Sequence, residues 1–343
     1  MNTNASVNSL APTVSVSAPP FPALTQSETA FFFIGGCGGT SPAPAVKING
    51  GPIGPMSSGP IADEAPVGPH SFRTEFGTNT TALGIVLPGG MGIFIDNGTG
   101  VPRVAEFFRE RQVTGVNGLQ THFHMDHRAG VQSNTMLFKN GYVRSIHTPI
   151  LPGRSFREVL AGDFSPDTWP VSPATFGITH SIQEFALGSS LQVGDVSVKT
   201  LPLNHPGQAA GFRIALPHGD VVVTTDEELS DETHRAEYAK FVSGAAILYV
   251  DVQYRDEEHA GQAGIAGGPA MSRKGWGHST PGMLRAALSQ CEVVPGTILV
   301  GHHDPSRPDA DLRKFEAEMQ AEFAEAFPGT KLCFAREADT FRV

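Results

Sequence analysis

Apolar positions fall in short runs, most of them too brief for a helix. Phe31-Phe-Phe-Ile34 reads as a buried strand closed by the glycine-rich turn 35–39. Residues 81–87 and 91–95 read as paired strands across Pro88-Gly-Gly90, a hairpin signal. A helix follows over 101–112, then a strand over 115–121. Residues 145–150 predict a strand and 155–161 a helix. Two short strands surround Gly194-Asp195 within 191–201, and 211–216 pairs with 220–224 across Pro217-His-Gly219. Residues 245–252 are almost continuously apolar, the pattern of a strand buried on both faces. Thr280 before Pro281 reads as an N-cap with a first-turn proline, and Leu284, Leu288 and Cys291 then share one face. Residues 298–300 form another short strand. Leu312, Phe315, Met319, Phe323 and Phe327 recur at helical spacing up to Pro328-Gly329, a stripe that reads as core packing. Strands, helix, more strands and then helices predict an α/β fold of two mixed sheets face to face, with helices outside.

Composition adds boundaries and exclusions. Residues 1–28 carry no Lys or Arg and are rich in Ser, Thr, Ala, Asn and Pro. They lack the basic and apolar regions of a secretory signal, so they are expected to be a flexible arm, packed on a neighbouring subunit or plainly disordered, ahead of one domain, 29–343. Residues 41–75 are rich in Pro and Gly with little periodicity and are expected to be loop. With 39 Gly and 27 Pro in 343 residues, tight turns abound. A net charge of −10 and the lack of a basic cluster argue against a nucleic-acid partner. No apolar run approaches the roughly 18 residues of a membrane span. Cys37, Cys291 and Cys333 are too scattered for a disulfide framework, so a reduced, cytoplasmic setting is expected.

Histidine is the outlier, with 13 copies. His122-Phe-His124-Met-Asp126-His127 places four ligand-type side chains directly after an apolar strand. Alternation puts His122 and His124 on one side of an extended segment, and Asp126 and His127 enter a turn where they can face a second ion. Imidazole and carboxylate without thiolate suit zinc or a similar divalent ion. Three more strands end in ligand types: His205 in Asn204-His-Pro-Gly207, Asp226 after 221–223, and His302-His303 after 298–300. Any one alone reads as a core His or a turn Asp. One from each brings the set to seven, enough for two metals.

On these residues the chain resembles the metallo-β-lactamase fold superfamily of metal-dependent hydrolases, from about Phe31 onwards. The HxHxDH run is matched by His122, His124, Asp126 and His127, the later single His by His205, the bridging Asp by Asp226, and the last His by His302 or His303. Four stretches make it most similar to the phosphodiesterase and ribonuclease Z-like branch. They are Gly77-Thr-Asn-Thr-Thr81, Leu203-Asn-His-Pro-Gly207 with Gly211-Phe-Arg213, Gly277-His-Ser-Thr280, and His302-His-Asp-Pro305.

The resemblance implies a four-layer αβ/βα sandwich with two divalent ions at one edge, zinc foremost, manganese and iron admissible. It implies His122, His124 and His205 around the first ion, Asp126, His127 and His302 around the second, and Asp226 between them. His302 is favoured over His303 because it directly follows the strand and one further residue. A hydroxide bridging the metals would attack a cyclic or small phosphodiester, with Asp126 accepting its hydrogen bond and His278 serving the leaving oxygen. A carboxyl-ester, thioester or lactone hydrolase on the same site is the alternative. A non-catalytic metal-binding protein is the weaker option, because every expected ligand is present. Transfer-RNA processing fits poorly with the charge. A small-molecule substrate is expected, no membrane partner, and a homodimer stays open. Asp251 is either an acceptor for a ligand imidazole or a solvated strand-end residue. The run 35–40 matches the family's glycine turn only approximately, and 256–276 reads as a lid, a substrate wall or plain loop. Neither is expected to touch the metal set.

Overall fold

Residues 29–40, 75–171 and 181–343 are described by the structure, a computed structural model. The expected arm at 1–28 and nearly all of the expected 41–75 loop lie outside these residues. In chain order the elements are β1 (Phe31–Gly36), β2 (Ala82–Val86), β3 (Met91–Ile95), α1 (Val101–Glu110), β4 (Gly115–Leu119), β5 (Val143–Pro149), α2 (Phe156–Asp163) and β6 (Ile182–Phe185). Then come β7 (Ser190–Val193), β8 (Val196–Leu203), β9 (Ala209–Ile214), β10 (Val221–Thr224), α3 (Glu232–Val242), β11 (Ile247–Asp251) and α4 (Asp256–His259). The chain closes with α5 (Pro281–Leu288), β12 (Thr297–Gly301), α6 (Asp309–Ala326), β13 (Lys331–Phe334) and β14 (Thr340–Arg342).

The strands make two seven-stranded sheets, ordered β14-β1-β2-β3-β4-β5-β6 and β13-β12-β11-β10-β9-β8-β7. Both are mixed. Strands β3 to β6 run parallel, as do β10 to β13, while the hairpin-connected strands pair antiparallel. Strand alternation builds the layers. Ile93 and Ile95 of β3 face the second sheet, where they meet the core that includes Val221, Val223 and Tyr249. Phe94 points the other way and packs under α1 with Val104 and Phe108. Val222, Leu248 and Val250 leave the far face of the second sheet and join Leu284, Phe315 and Met319 of α5 and α6. Each sheet is therefore covered on both faces, which is why the parallel strands carry unbroken apolar runs.

Helix ends follow side-chain chemistry. Ser155 and Glu158 form a capping box at α2, Thr280 accepts from Met283 N at the start of α5, and Asp231 caps α3. Several boundaries shift by one or two residues from expectation, and β5 and β9 each begin two residues early. β1 runs on through Gly36, and Cys291 lies beyond α5, which ends at Leu288.

The parallel strands β3, β4, β10, β11 and β12 all point their carboxyl ends to one edge of the sandwich. Loops at that end of an open α/β sheet are where ligand-binding side chains collect. Among the described residues, no helix is long and apolar enough to cross a membrane.

Candidate metal centre

β4 delivers the His-rich run. His122 is buried, His124 is extended and exposed, and residues Met125–His127 make a single 3-10 turn. β8 ends just before His205, β10 before Asp226, and β12 before His302. Asp226 and His302 both adopt left-handed backbone, with φ of 62° and 56°. That region is uncommon for side-chain-bearing residues and is found at functional sites that hold it in place. Here it turns both side chains back over the strand ends.

The turns bring all seven residues expected from the sequence together. Ligand atoms of His122, His124 and His205 lie within 4.8 Å of one another, as do those of Asp126, His127, Asp226 and His302. Asp226 sits between the two groups. Its Oδ1 is 3.6 Å from His205 Nε2 and 3.3 Å from His302 Nε2, and its Oδ2 is 3.0 Å from His127 Nε2. His303 is not in either group. Its Nε2 donates to the Ala335 carbonyl at 3.0 Å, and its ring stacks on Phe334.

Burial opposes charge throughout the cluster, and neighbours decide the outcome. Burial, reinforced by His127, holds the His122 imidazole well below its usual pKa. Burial also works against the charge on His302, but Asp226 and Asp126 push it up to about 9. For His127 the opposing burial is outweighed by Asp226, Asp126 and Asp96, and the imidazole sits well above its usual value. Asp226 likewise resists burial, because His302, His127 and His122 hold its carboxyl well below the carboxylate range. The protons favoured on His127 and His302 are the ones a divalent cation displaces on binding, while His122 and Asp226 already favour the unprotonated form that a cation needs. One atom fits such a cation directly. Among the described residues, His122 Nε2 is buried with no hydrogen-bond partner, in a site whose donors are all imidazole and carboxylate.

Several supporting residues escaped the sequence reading. Asp96, directly after β3, accepts from His127 Nδ1 at 2.7 Å and from Thr121 N at 2.8 Å. Gln120 Nε2 donates to Asp96 and to the carbonyls of His122 and His127. Asp96 follows an apolar strand just as Asp226 does, so that signal was present. Gln253, the first residue after the apolar run 245–252, accepts from His302 Nδ1 at 2.8 Å. The glycine run also touches the cluster, against expectation. A Cβ on Gly39 would lie 2.3 Å from His302 Nδ1, and Thr40 N donates to Asp126 Oδ2 at 2.8 Å. Nor is 256–276 a free loop. Its α4 residue Glu258 pairs with buried Arg307, and His259 meets Glu228.

His278 lies against the same cluster. Its ring centroid is 4.9 Å from that of His302 and 5.3 Å from that of His205. Its Nδ1 is 2.5 Å from Asp251 Oδ2, and Asp251 is fully buried. The solvated alternative for Asp251 is thereby set aside, and its partner is His278.

Residues 93–303 match the family described as "Beta-lactamase superfamily domain". That stretch is more than half of the chain and holds every residue of the cluster. The chain belongs to this family. Solved structures share its metallo-β-lactamase fold. YhfI of Bacillus subtilis is 13% identical with a TM-score of 0.56, covering 92% of this chain and 100% of that one. Yeast PDE1 is 14% identical with a TM-score of 0.57, covering 92% and 99%. Zn(2+)-bound PqqB from Methylobacterium extorquens is 13% identical with a TM-score of 0.55, covering 91% and 100%. No curated protein sequence matches the chain. Superfamily members are metal-dependent hydrolases, and the His/Asp cluster of this member has the donors such chemistry needs.

Asp96 offers a first test of how the superfamily site is held. Asp96→Ala removes the acceptor of His127 Nδ1, Thr121 and Gln120 at once. Leaving a buried charge partner unpaired costs about 3–5 kcal/mol, read as a lowered denaturation midpoint. Metal affinity is expected to fall roughly 10–100-fold, as for other residues that orient a ligand imidazole.

Proposed function

We propose that the chain is a binuclear metal-dependent phosphodiesterase acting on a cyclic or small phosphodiester. The observation that carries this reading is the shared carboxylate. Asp226 lies against both donor groups, with His278 beside them and tied to Asp251. His122, His124 and His205 would hold one ion, Asp126, His127 and His302 the other, with zinc best suited to the donors. Ions bound there supply an acidified water and charge neutralisation on the oxygen under attack.

The chain's own residues do the rest. Thr40 N fixes the Asp126 carboxylate, which orients the attacking water and accepts its hydrogen bond. Asp251 takes the Nδ1 proton of His278 in a hydrogen bond, which leaves Nε2 to carry the proton given to the leaving oxygen. His124 is the exposed member of the cluster and marks the side from which substrate enters. The −10 net charge favours a small substrate over a polynucleotide.

A panel assay on metal-reconstituted protein tests the substrate class. It includes a bis-aryl phosphate, cyclic nucleotides, a phosphomonoester, a lactone, a thioester and a β-lactam. Phosphodiester turnover is expected to exceed the others. Faster turnover of the lactone, thioester or lactam would reassign the site to acyl transfer, and activity confined to the monoester would also overturn the reading.

A further inference from the structure

Three consecutive acidic residues, Asp226-Glu227-Glu228, follow β10. The first lies between the two donor groups. The third is almost as buried, at 4% exposure, yet it reaches no candidate ligand directly. Glu228 Oε2 accepts from Gly277 N at 2.9 Å. Oε1 accepts from Gly275 N at 3.1 Å and meets His259 Nε2 at 3.3 Å. The two backbone donors are two residues apart in a segment that, among the described residues, pairs with no strand. The carboxylate thus does for this loop what a neighbouring strand would otherwise do.

The loop in turn sets a candidate ligand. The Gly277 carbonyl accepts from His205 Nδ1 at 3.0 Å. That bond puts the proton on Nδ1 and directs the Nε2 lone pair toward Asp226 and His124. The contact is close: Gly277 has φ +87°, and a Cβ there would stand 2.1 Å from His205 Nδ1. The His205 loop is also tied to the same residue from its other side, since Glu228 N donates to the Asn204 carbonyl and Asn204 Nδ2 to the Glu228 carbonyl. His278 is the next residue after Gly277.

We propose that Glu228 is a positioning residue. Through the Gly275 and Gly277 amides it presents the Gly277 carbonyl to His205, and so fixes the tautomer and aim of that imidazole in the His122/His124/His205 group. This rests on the reading of the cluster as a two-metal site. The second group is held by other partners, Asp96 for His127 and Gln253 for His302. Losing Glu228 should therefore weaken one site and spare the other.

Stepwise cobalt titration of the full chain, followed by visible absorption and equilibrium dialysis, tests this. Wild type is expected to take up two ions, and His205→Ala identifies which step belongs to the three-histidine group. In Glu228→Ala that same step should weaken by about 100-fold and in Glu228→Gln by about 10-fold, the range seen when a residue orienting a ligand is lost. Gln has one acceptor oxygen where the carboxylate has two, so one amide goes unpaired. The other step should keep its wild-type affinity and spectrum. Should the Ala variant fail to fold, the Gln variant carries the same site-selective expectation. Two wild-type steps in a folded Gln variant, or an equal loss at both steps, would overturn the positioning role alone. A wild-type chain that takes up no cobalt would overturn the two-metal reading and this inference with it.

Discussion

Asp226→Ala is expected to abolish turnover, by more than the roughly 10²–10³-fold lost with one electrostatic stabiliser. The reason is its place between two donor groups, 3.0 Å from His127 and 3.3 Å from His302 on one side and 3.6 Å from His205 on the other. Removing any single histidine takes one donor from one group, whereas removing Asp226 takes a donor and a negative charge from both. Metal content should fall below one ion per chain. Alanine is also strained at φ 62°, so Asp226→Asn is the companion variant. Asn tolerates left-handed backbone and keeps the shape without the charge. It should be almost as inactive as Ala. Recovery of activity in the Asn variant would trace the loss to backbone strain and remove the bridging role.

His278→Ala should behave differently on different substrates. Its Nδ1 is engaged by Asp251, so Nε2 is the atom free to give a proton to the leaving oxygen. An alkyl or ribose oxygen needs that proton, and general acid catalysis contributes roughly 10²–10⁴-fold. The variant should lose about that much on an alkyl phosphodiester and far less on a nitrophenyl diester, whose leaving group departs without help. Metal content should be unchanged. His205→Ala, by contrast, should impair both substrates. Equal losses for His278→Ala on both, with metals kept, would mark a positioning role. No loss on either would remove His278 from the reaction.

Much of this site was legible in the chain because its residues sit at chemically abrupt places. His122 to His127, His205, Asp226 and His302 each follow an apolar strand, and a strand end is where a buried run must give way to polar function. The same rule applied to Ile93-Phe-Ile95 would have found Asp96. Gly39 and Glu228 could not be found that way. Their roles depend on contacts between loops distant in sequence, such as Glu228 with residues 275–277. The left-handed backbone at Asp96, Asp226 and His302 likewise leaves no mark on residue type. In the fold, strands with unbroken apolar runs were readable. The edge strands β6, β13 and β14 were not, because each is short and partly polar, whereas the edge strand β7 was marked by its Gly194-Asp195 turn. Helix α3, with Tyr238, Ala239 and Val242 buried, was obscured by its many charged residues.

Seven side chains of this chain are proposed to form a site for two metals. Elemental analysis of protein purified without chelator, then reconstituted with zinc, manganese or iron and desalted, measures it directly. About two divalent ions per chain are expected, retained by wild type and lost from Asp226→Ala. A value near zero after reconstitution with each of the three metals would contradict this.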